Sequence, residues 1–321
     1  MSVEFKPCFK QSLNYLVLVV NYPNMRAMRR LLLAILASLA ATGGGRSAEA
    51  QMPDLVEMSA QYLPNAPLED PRPTEVQVTS YDVAMNVPLP LGESTFLIPG
   101  AAYHVDSVSF HDAPADFIEL RAFHAVDVPL LFVQLLPRDW ALSVRVAPGL
   151  AGDFLAVDSR MVRINALAMA THGFSDELVV GGGGMTSYAF GSLLPLPVAY
   201  VEWKPSPRWS VEAFLPAFVR TRLSLWDRLE LGYGAEVQGN AYAVRDRRVD
   251  FDHVAYSVIA AGPTLGVRLF ETVWWNVFAG HSVYRRFDLL DRDDEAIPGG
   301  VQQLPNRWLV RSGIAWRIPM E

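Results

Sequence analysis

Between residues 307 and 318 the chain alternates with period two. Trp308, Val310, Ser312, Ile314, Trp316 and Ile318 fall on one set of positions, and Arg307, Leu309, Arg311, Gly313, Ala315 and Arg317 on the other. A strand sends successive side chains to opposite faces, so this segment has an apolar face with Trp near both ends and an arginine-rich face. In a soluble sheet the apolar face turns to a core, and Trp has no reason to mark its ends. In a transmembrane barrel the apolar face meets lipid, the Trp residues sit at the two interfaces, and the arginines face a wet lumen. The length agrees with the roughly 9–11 residues of a tilted membrane strand.

The same pattern recurs upstream, more weakly. Val219, Thr221, Leu223 and Leu225 oppose Arg220, Arg222 and Ser224. Leu229, Leu231, Tyr233, Ala235 and Val237 oppose Glu230, Glu236, Gln238 and Asn240. Leu265, Val267 and Leu269 oppose Thr264, Gly266 and Arg268, and Val273, Trp275 and Val277 oppose Asn276, Ser282 and Arg286. Further strands are expected over 55–63, 75–87, 95–110, 117–136, 140–146, 162–171, 178–190, 197–203 and 209–215. The prediction is all-β: a closed antiparallel transmembrane β-barrel of about fourteen strands, with twelve to sixteen compatible. Turns at 137–139, 205–207, 226–228 and 270–272 fall at one end. Longer loops at 149–158, 245–252 and 289–306 fall at the other, as in bacterial barrels with short periplasmic turns.

The N-terminal region reads differently. Arg26, Arg29 and Arg30 precede the apolar run 31–41, and Ala48-Glu49-Ala50 offers a cleavage site before Gln51. That predicts a signal peptide over 25–50 and a barrel over 51–321. The run is too short for a membrane helix, which needs about 20 residues. The stretch 1–24 ahead of a normal signal start is expected to be an upstream extension, with translation beginning at Met25 or Met28.

Composition narrows the function classes. The 321 residues carry a formal net charge of -7, so nothing marks a nucleic-acid partner. Cys8 is the one cysteine and lies before the expected mature chain, which excludes disulfides and thiolate catalysis. No motif calls for a cofactor. The expected partners are outer-membrane lipid and the barrel-assembly machinery, with no transported solute specified.

The candidate lumen-lining residues are Arg145, Glu202, Lys204, Arg208, Glu212, Arg220, Arg222, Glu230, Glu236, Arg268, Arg286, Arg307, Arg311 and Arg317. Trp275, Val310, Ile314, Trp308 and Trp316 are the lipid-facing set. An arginine-lined pore would favour anions, whereas an Arg–Glu network would fill a narrow lumen. Arg222 is expected to approach Glu230 across the turn at 226–228. Asp291-Arg292-Asp293-Asp294-Glu295 reads as a solvated loop ahead of a Ca²⁺ site, since it lacks spaced ligands. Gly181-Gly182-Gly183-Gly184 has no following Lys-Ser/Thr, so a barrel kink is expected there, with no phosphate loop. The six histidines form no metal pair. His253 beside Asp252, and His104 near Asp106, are the local hints of catalysis, and no nucleophile motif joins them. The readings are thus a passive channel, a non-conducting structural or surface-interaction barrel, and, third, an embedded enzyme.

Several stretches resemble a family of bacterial outer-membrane β-barrel proteins known as a domain of unknown function. They are Gly262-Pro263-Thr264-Leu265-Gly266-Val267-Arg268, Tyr284-Arg285-Arg286-Phe287 with the acidic stretch 291–295 after it, and Leu215-Pro216. The resemblance spans most of the chain after about residue 54. It implies a barrel in the outer membrane of a Gram-negative bacterium and no activity. The chain departs from the usual barrel ending on an aromatic residue, closing on Trp316-Arg317-Ile318-Pro319-Met320-Glu321.

Overall fold

The structure is a computed structural model that describes residues 53–67, 75–111, 120–189, 193–246, 251–292 and 295–317. The expected upstream extension and signal peptide, Ile318 and the last residues lie outside them. Fourteen strands form one antiparallel meander. They are β1 (Val56–Pro67), β2 (Glu75–Asn86, continued by Leu89–Pro90), β3 (Thr95–His111), β4 (Leu120–Asp127 and Leu130–Leu136), β5 (Trp140–Gly152), β6 (Val162–Ser175) and β7 (Leu178–Ser187). Then come β8 (Leu194–Ser206), β9 (Trp209–Leu215), β10 (Phe218–Trp226), β11 (Leu229–Ala243), β12 (His253–Arg268), β13 (Val273–Leu290) and β14 (Ala296–Gln303 and Trp308–Trp316). β14 pairs back onto β1 from Val56↔Trp316 to Tyr62↔Val310, which closes the barrel. Closure leaves neither the first nor the last strand of the sheet unpaired at membrane depth, where backbone N–H and C=O groups would find no water.

Two segments expected as loops are partly strand. β5 runs on to Gly152, and residues 289–306 hold the β13–β14 hairpin. Backbone pairing with a neighbour carries each strand past the point where its side-chain alternation ends. The four glycines make no kink: β7 pairs without a register shift to both β6 at this point and β8, and a Cβ on Gly183 would stand 2.0 Å from the Ala168 carbonyl oxygen. Glycine is there for close strand approach.

Cross-strand partners share a face, so the register assigns every side chain. Over the half nearest the short turns, apolar side chains point outward. Met58, Val83, Leu142, Leu223, Leu231, Val310 and Ile314 are among those exposed on the outer surface. Trp140, Trp203, Trp209 and Trp226 flank the short turns and are exposed too, with the Trp203 and Trp209 rings 5.9 Å apart. This is the apolar band and aromatic girdle of a lipid-facing wall.

Toward the other end the pattern inverts. On β2 the inward positions run Ala84, Asp82, Ser80, then Val78 and Val76; the outward ones run Met85, Val83, Tyr81, then Thr79 and Gln77. β1 changes at Gln61 and Leu63, and β3 at Asp106 and Val108. Beyond these residues the interior is apolar. Leu63, Val76, Val78, Val108, Phe123, Tyr242, Val254, Val258, Phe287 and Leu309 form one buried cluster. Each fully buried side chain of this kind contributes roughly 1.5–3 kcal/mol through removal from water. The members of the cluster come from β1–β5 and β11–β14, with Val244 just past β11 and Leu304 in the break of β14. The reason lies in one extra pairing. Ala243 at the end of β11 bridges Gly152 at the end of β5, in parallel. That contact bypasses β6–β10 and narrows a fourteen-strand wall to a nine-strand ring, which side chains can fill.

Candidate functional site

Below the packed ring the lumen is polar. On β9 to β14 the inward side chains pair with one another. Arg220 meets Glu212 at 2.7 Å, Arg311 meets Glu236 at 2.6 Å, and Glu230 takes Arg317 at 3.3 Å and Arg222 at 3.5 Å. Arg317 also lies over the Trp274 ring at 4.4 Å, beside Arg268 at 6.0 Å from the same ring. Lys204 pairs with Glu202 at 2.7 Å. Arg145 faces inward between Leu131 and Leu167. Arg220, Arg222, Glu230, Glu236, Arg311 and Arg317 line a cavity of about 370 Å³.

Three of the proposed lining arginines are elsewhere. Arg286 points outward and binds Asp288 at 2.7 Å. Val283 of β13 is an extra residue opposite the Ile259–Ala260 step of β12, and this bulge shifts the alternation of β13 by one residue, so Arg285 takes the inward position. Arg208 occupies the tight turn between β8 and β9 and is exposed there. Arg307 sits in the break of β14, exposed, with its backbone N–H donating to Ser282 Oγ at 2.8 Å. Trp275, Val310, Ile314 and Trp308 are exposed on the outer face, and Trp316 is half-buried on the same face.

The opposite wall carries a polar group of which the sequence marked only His104 near Asp106, and not among the lumen-lining residues. His104 Nδ1 lies 2.5 Å from Asp82 and its Nε2 lies 3.1 Å from Asp106. Asp106 also accepts from Ser80 Oγ at 2.5 Å and from the Tyr242 hydroxyl at 2.6 Å, and that hydroxyl accepts from Asn240 at 3.0 Å. Arg163 of β6 joins Asp127 to Asn240. Ser80, Asp82, His104, Asp106, Asp127 and Asn240, with Glu57 and Gln61, border a second cavity of about 450 Å³. Carboxylates of β1–β4 line the lumen across from the arginines of β9–β14. Ser80 bonds Asp106 and makes no contact with His104 among the described residues, so the group is not assembled as a nucleophile–base pair. Nor do the described residues bring three His, Cys, Asp or Glu together to hold a metal ion.

At the far end, residues 153–161 are tied to the β11–β12 connection. Arg245 reaches Asp158 at 2.7 Å and Asp252 at 3.3 Å, and Arg160 bonds both carboxylates. Desolvation pushes the Asp158 carboxyl up, and the hydrogen bonds from Arg245 and Arg160 outweigh it and bring it down to about 2.

A family model described as a domain of unknown function, DUF6268, matches residues 46–297. The chain belongs to this family. No curated protein matches it. Among solved structures it is similar to the COG4313 outer membrane channel from Pseudomonas putida F1, at 8% identity over 85% of this chain and 98% of that one, with a TM-score of 0.46. It is similar also to LpxR from Salmonella typhimurium, at 9% identity over 82% of this chain and 99% of that one, with a TM-score of 0.33. The toluene transporter TodX from Pseudomonas putida matches at 10% identity over 87% of this chain and 93% of that one, with a TM-score of 0.35. At these identities the likeness is one of fold.

Proposed function

We propose that this DUF6268 protein is a bacterial outer-membrane barrel whose lumen is a polar vestibule open toward the periplasm and closed toward the cell surface. The observation that carries this reading is the apolar filling of the nine-strand ring. Ions cross a barrel through water, and a packed ring of Val, Leu, Phe and Tyr side chains holds none. Orientation follows from loop length, since short turns mark the periplasmic end of bacterial barrels. The partners on this reading are outer-membrane lipid around the belt and the assembly machinery during biogenesis. The paired arginines act as a structural network, so anion selectivity is not part of the proposal.

Conductance of the refolded protein in a planar bilayer tests it. The unmodified barrel is expected to be silent while folded by far-ultraviolet circular dichroism. Steady open steps at low voltage would overturn the closed reading and restore the passive channel. A gated channel is the second reading. It is favoured by how little backbone pairing holds the closure: one bridging pair and the Asp153 N–H to Ala243 carbonyl bond at 3.1 Å join β5 to β11, beside the Arg160 and Arg245 ion pairs with Asp158 and Asp252.

A further inference from the structure

The barrel wall is lowest at β9 and β10. β9 has 7 residues, from the girdle residue Trp209 to Leu215. At the usual strand tilt such a length rises about 16 Å, against about 25 Å for the apolar band of a membrane barrel. The hairpin tip is apolar on both faces. Phe214 and Phe218 point inward with ring centroids 6.0 Å apart, and Leu215 and Val219 are exposed outward. A turn that reaches water favours Asn, Asp, Ser and Gly, and Phe214-Leu215-Pro216-Ala217-Phe218 has none of them. The hairpin therefore ends within the bilayer.

Its neighbours continue past it. β8 pairs with β9 only from Ala199, and β11 with β10 only as far as Glu236, above which the Val237 N–H donates to the Ala217 carbonyl oxygen at 2.8 Å. Among the described residues no strand fills the wall between 194–198 of β8 and 238–242 of β11. Both edges suit that gap. The Lys204 N–H donates to the Glu177 carbonyl oxygen at 2.7 Å, so even-numbered residues of β8 turn their backbone groups to β7 and odd-numbered ones turn theirs to the gap. The odd-numbered residues there are Pro195 and Pro197, which have no N–H to leave unsatisfied in hydrocarbon. Across the gap, the Ala241 N–H donates to Asn240 Oδ1 beside it at 3.1 Å.

The lumen reaches through this gap. Gly239 and Ser257 are partners on the outer face, since their neighbours Asn240 and Tyr256 point inward. Ala189 lies against them there. Its carbonyl oxygen accepts from Ser257 Oγ at 2.7 Å, and a Cβ on Gly239 would stand 2.2 Å from it. The 450 Å³ cavity borders both His104 inside and Ala189 outside, so it passes the edge of β11 between them. The 370 Å³ cavity reaches the hairpin tip at Ala217 and Phe218. The inner wall beside the gap is apolar: Met169, Val198 and Tyr200 are buried together, with Leu167, Met185 and Phe214 packed on them.

We propose that the gap is a lateral port, through which a single-chain amphiphile passes from the outer leaflet into the vestibule. Its alkyl chain lies along Val198, Phe214 and Phe218, and its polar head points to Arg220, whose guanidinium sits 4.8 Å over the Phe218 ring. An alkyl chain is held by burial alone, and an edge of prolines offers no ladder to a β-strand as a rival occupant. The direction of passage rests on the closed-ring reading. The port does not, because it is detected without conductance.

The test is photolabelling of the refolded protein in dioleoylphosphatidylcholine vesicles with palmitate carrying a mid-chain diazirine, the labelled residues being mapped by mass spectrometry. Val310 and Ile314 face lipid and are labelled in any folded barrel. Label is expected also at the inward Leu196, Phe214 and Phe218, and not at Thr264 and Asn276, which face the lumen nearer the short turns. Leu196→Asp places a charge in the apolar path and is expected to cut the label at Phe214 and Phe218 roughly tenfold, with Val310 unchanged. Heat-modifiable gel migration checks its folding, and the contrast between Phe214 and Asn276 in the parent carries the test if it fails to fold. Label confined to outward residues would overturn the port. So would equal label at Asn276 and Phe214, which means entry by the periplasmic mouth, or undiminished label in folded Leu196→Asp. Outward label alone with a silent bilayer leaves the closed barrel standing without a port, and inward label with open steps leaves the port standing without the closed ring.

Discussion

Ala243 and Gly152 are the one parallel pair among the described residues of an otherwise antiparallel sheet. They come from strands separated by five others around the wall, and their pairing decides the width of the barrel at its outer end. Gly152 is required there by space. A Cβ would stand 2.7 Å from the Ala243 carbonyl oxygen and 2.7 Å from Met161 Cε.

Gly152→Val therefore pushes β5 off β11. Overpacking of this kind costs about 1–3 kcal/mol. Loss of the bridge lets the nine-strand ring widen toward fourteen strands and admits water to the apolar filling. The variant is expected to show discrete conductance steps in a bilayer where the parent is silent. A folded but silent variant would mean that side-chain packing alone keeps the passage shut.

Arg285 gives a prediction of unusual sign. It is 0% exposed inside the ring, and the Tyr256 hydroxyl is the polar group set against its guanidinium. Among the described residues no carboxylate pairs with it. Replacing a buried charge with a well-packed apolar side chain is often neutral or stabilising by about 1–4 kcal/mol. Arg285→Met is expected to raise, or leave unchanged, the urea midpoint of unfolding in detergent. A clear drop would show that the charge is matched by a partner in the native state.

The lipid face is tested on β14. Val310→Arg and Ile314→Arg each place a charge on the outer belt and are expected to cost about 2–4 kcal/mol in a folding titration into bilayers. The inward control is Ser224→Arg, which faces Glu230 and should cost less. Gly313 is no control, because its Cβ would meet the Met58 carbonyl oxygen at 2.6 Å. Equal losses on both faces would contradict the assigned register.

Why the sequence disclosed some of this and hid the rest is a matter of strand length. The Trp308–Trp316 segment of β14 keeps Trp308, Val310, Ile314 and Trp316 on the outer face along its length, with only Leu309 at its start reaching the ring, so its alternation keeps one sense and reads directly. β2 and β3 cross from belt to ring, and their inward face changes from polar to apolar on the way. Averaged along the strand, neither face looks apolar, and so Asp82, His104 and Asp106 carried no visible inward signal. The bulge at Val283 misdirected Arg286 by one residue, and nothing local announces it. The Ala243–Gly152 bridge joins positions about ninety residues apart and has no local pattern at all.

The outer connections supply a pH dependence. Asp158 caps the helical turn Ser159–Met161, accepting from the Arg160 backbone N–H, and it holds Arg245 across to the β11–β12 connection. Its folded carboxyl titrates at about 2, below its ordinary value of 3.8. A carboxylate depressed on folding stabilises the folded form above the unfolded value, and that stabilisation is lost as pH falls through the folded one. The clasp should therefore stay intact down to about pH 4, loosen from there to about pH 2, and be gone below that. Pepsin works across this window, and Phe154-Leu155 in the clasped segment suits it. Nicking of residues 153–161, normalised to an unstructured peptide at each pH, is expected to rise as pH falls from 4 to 1.5. Asp158→Asn should be nicked readily throughout, because it lacks the charge at every pH. If the parent is nicked equally at both ends of the range, the Asp158–Arg245 pair does not hold the two connections together.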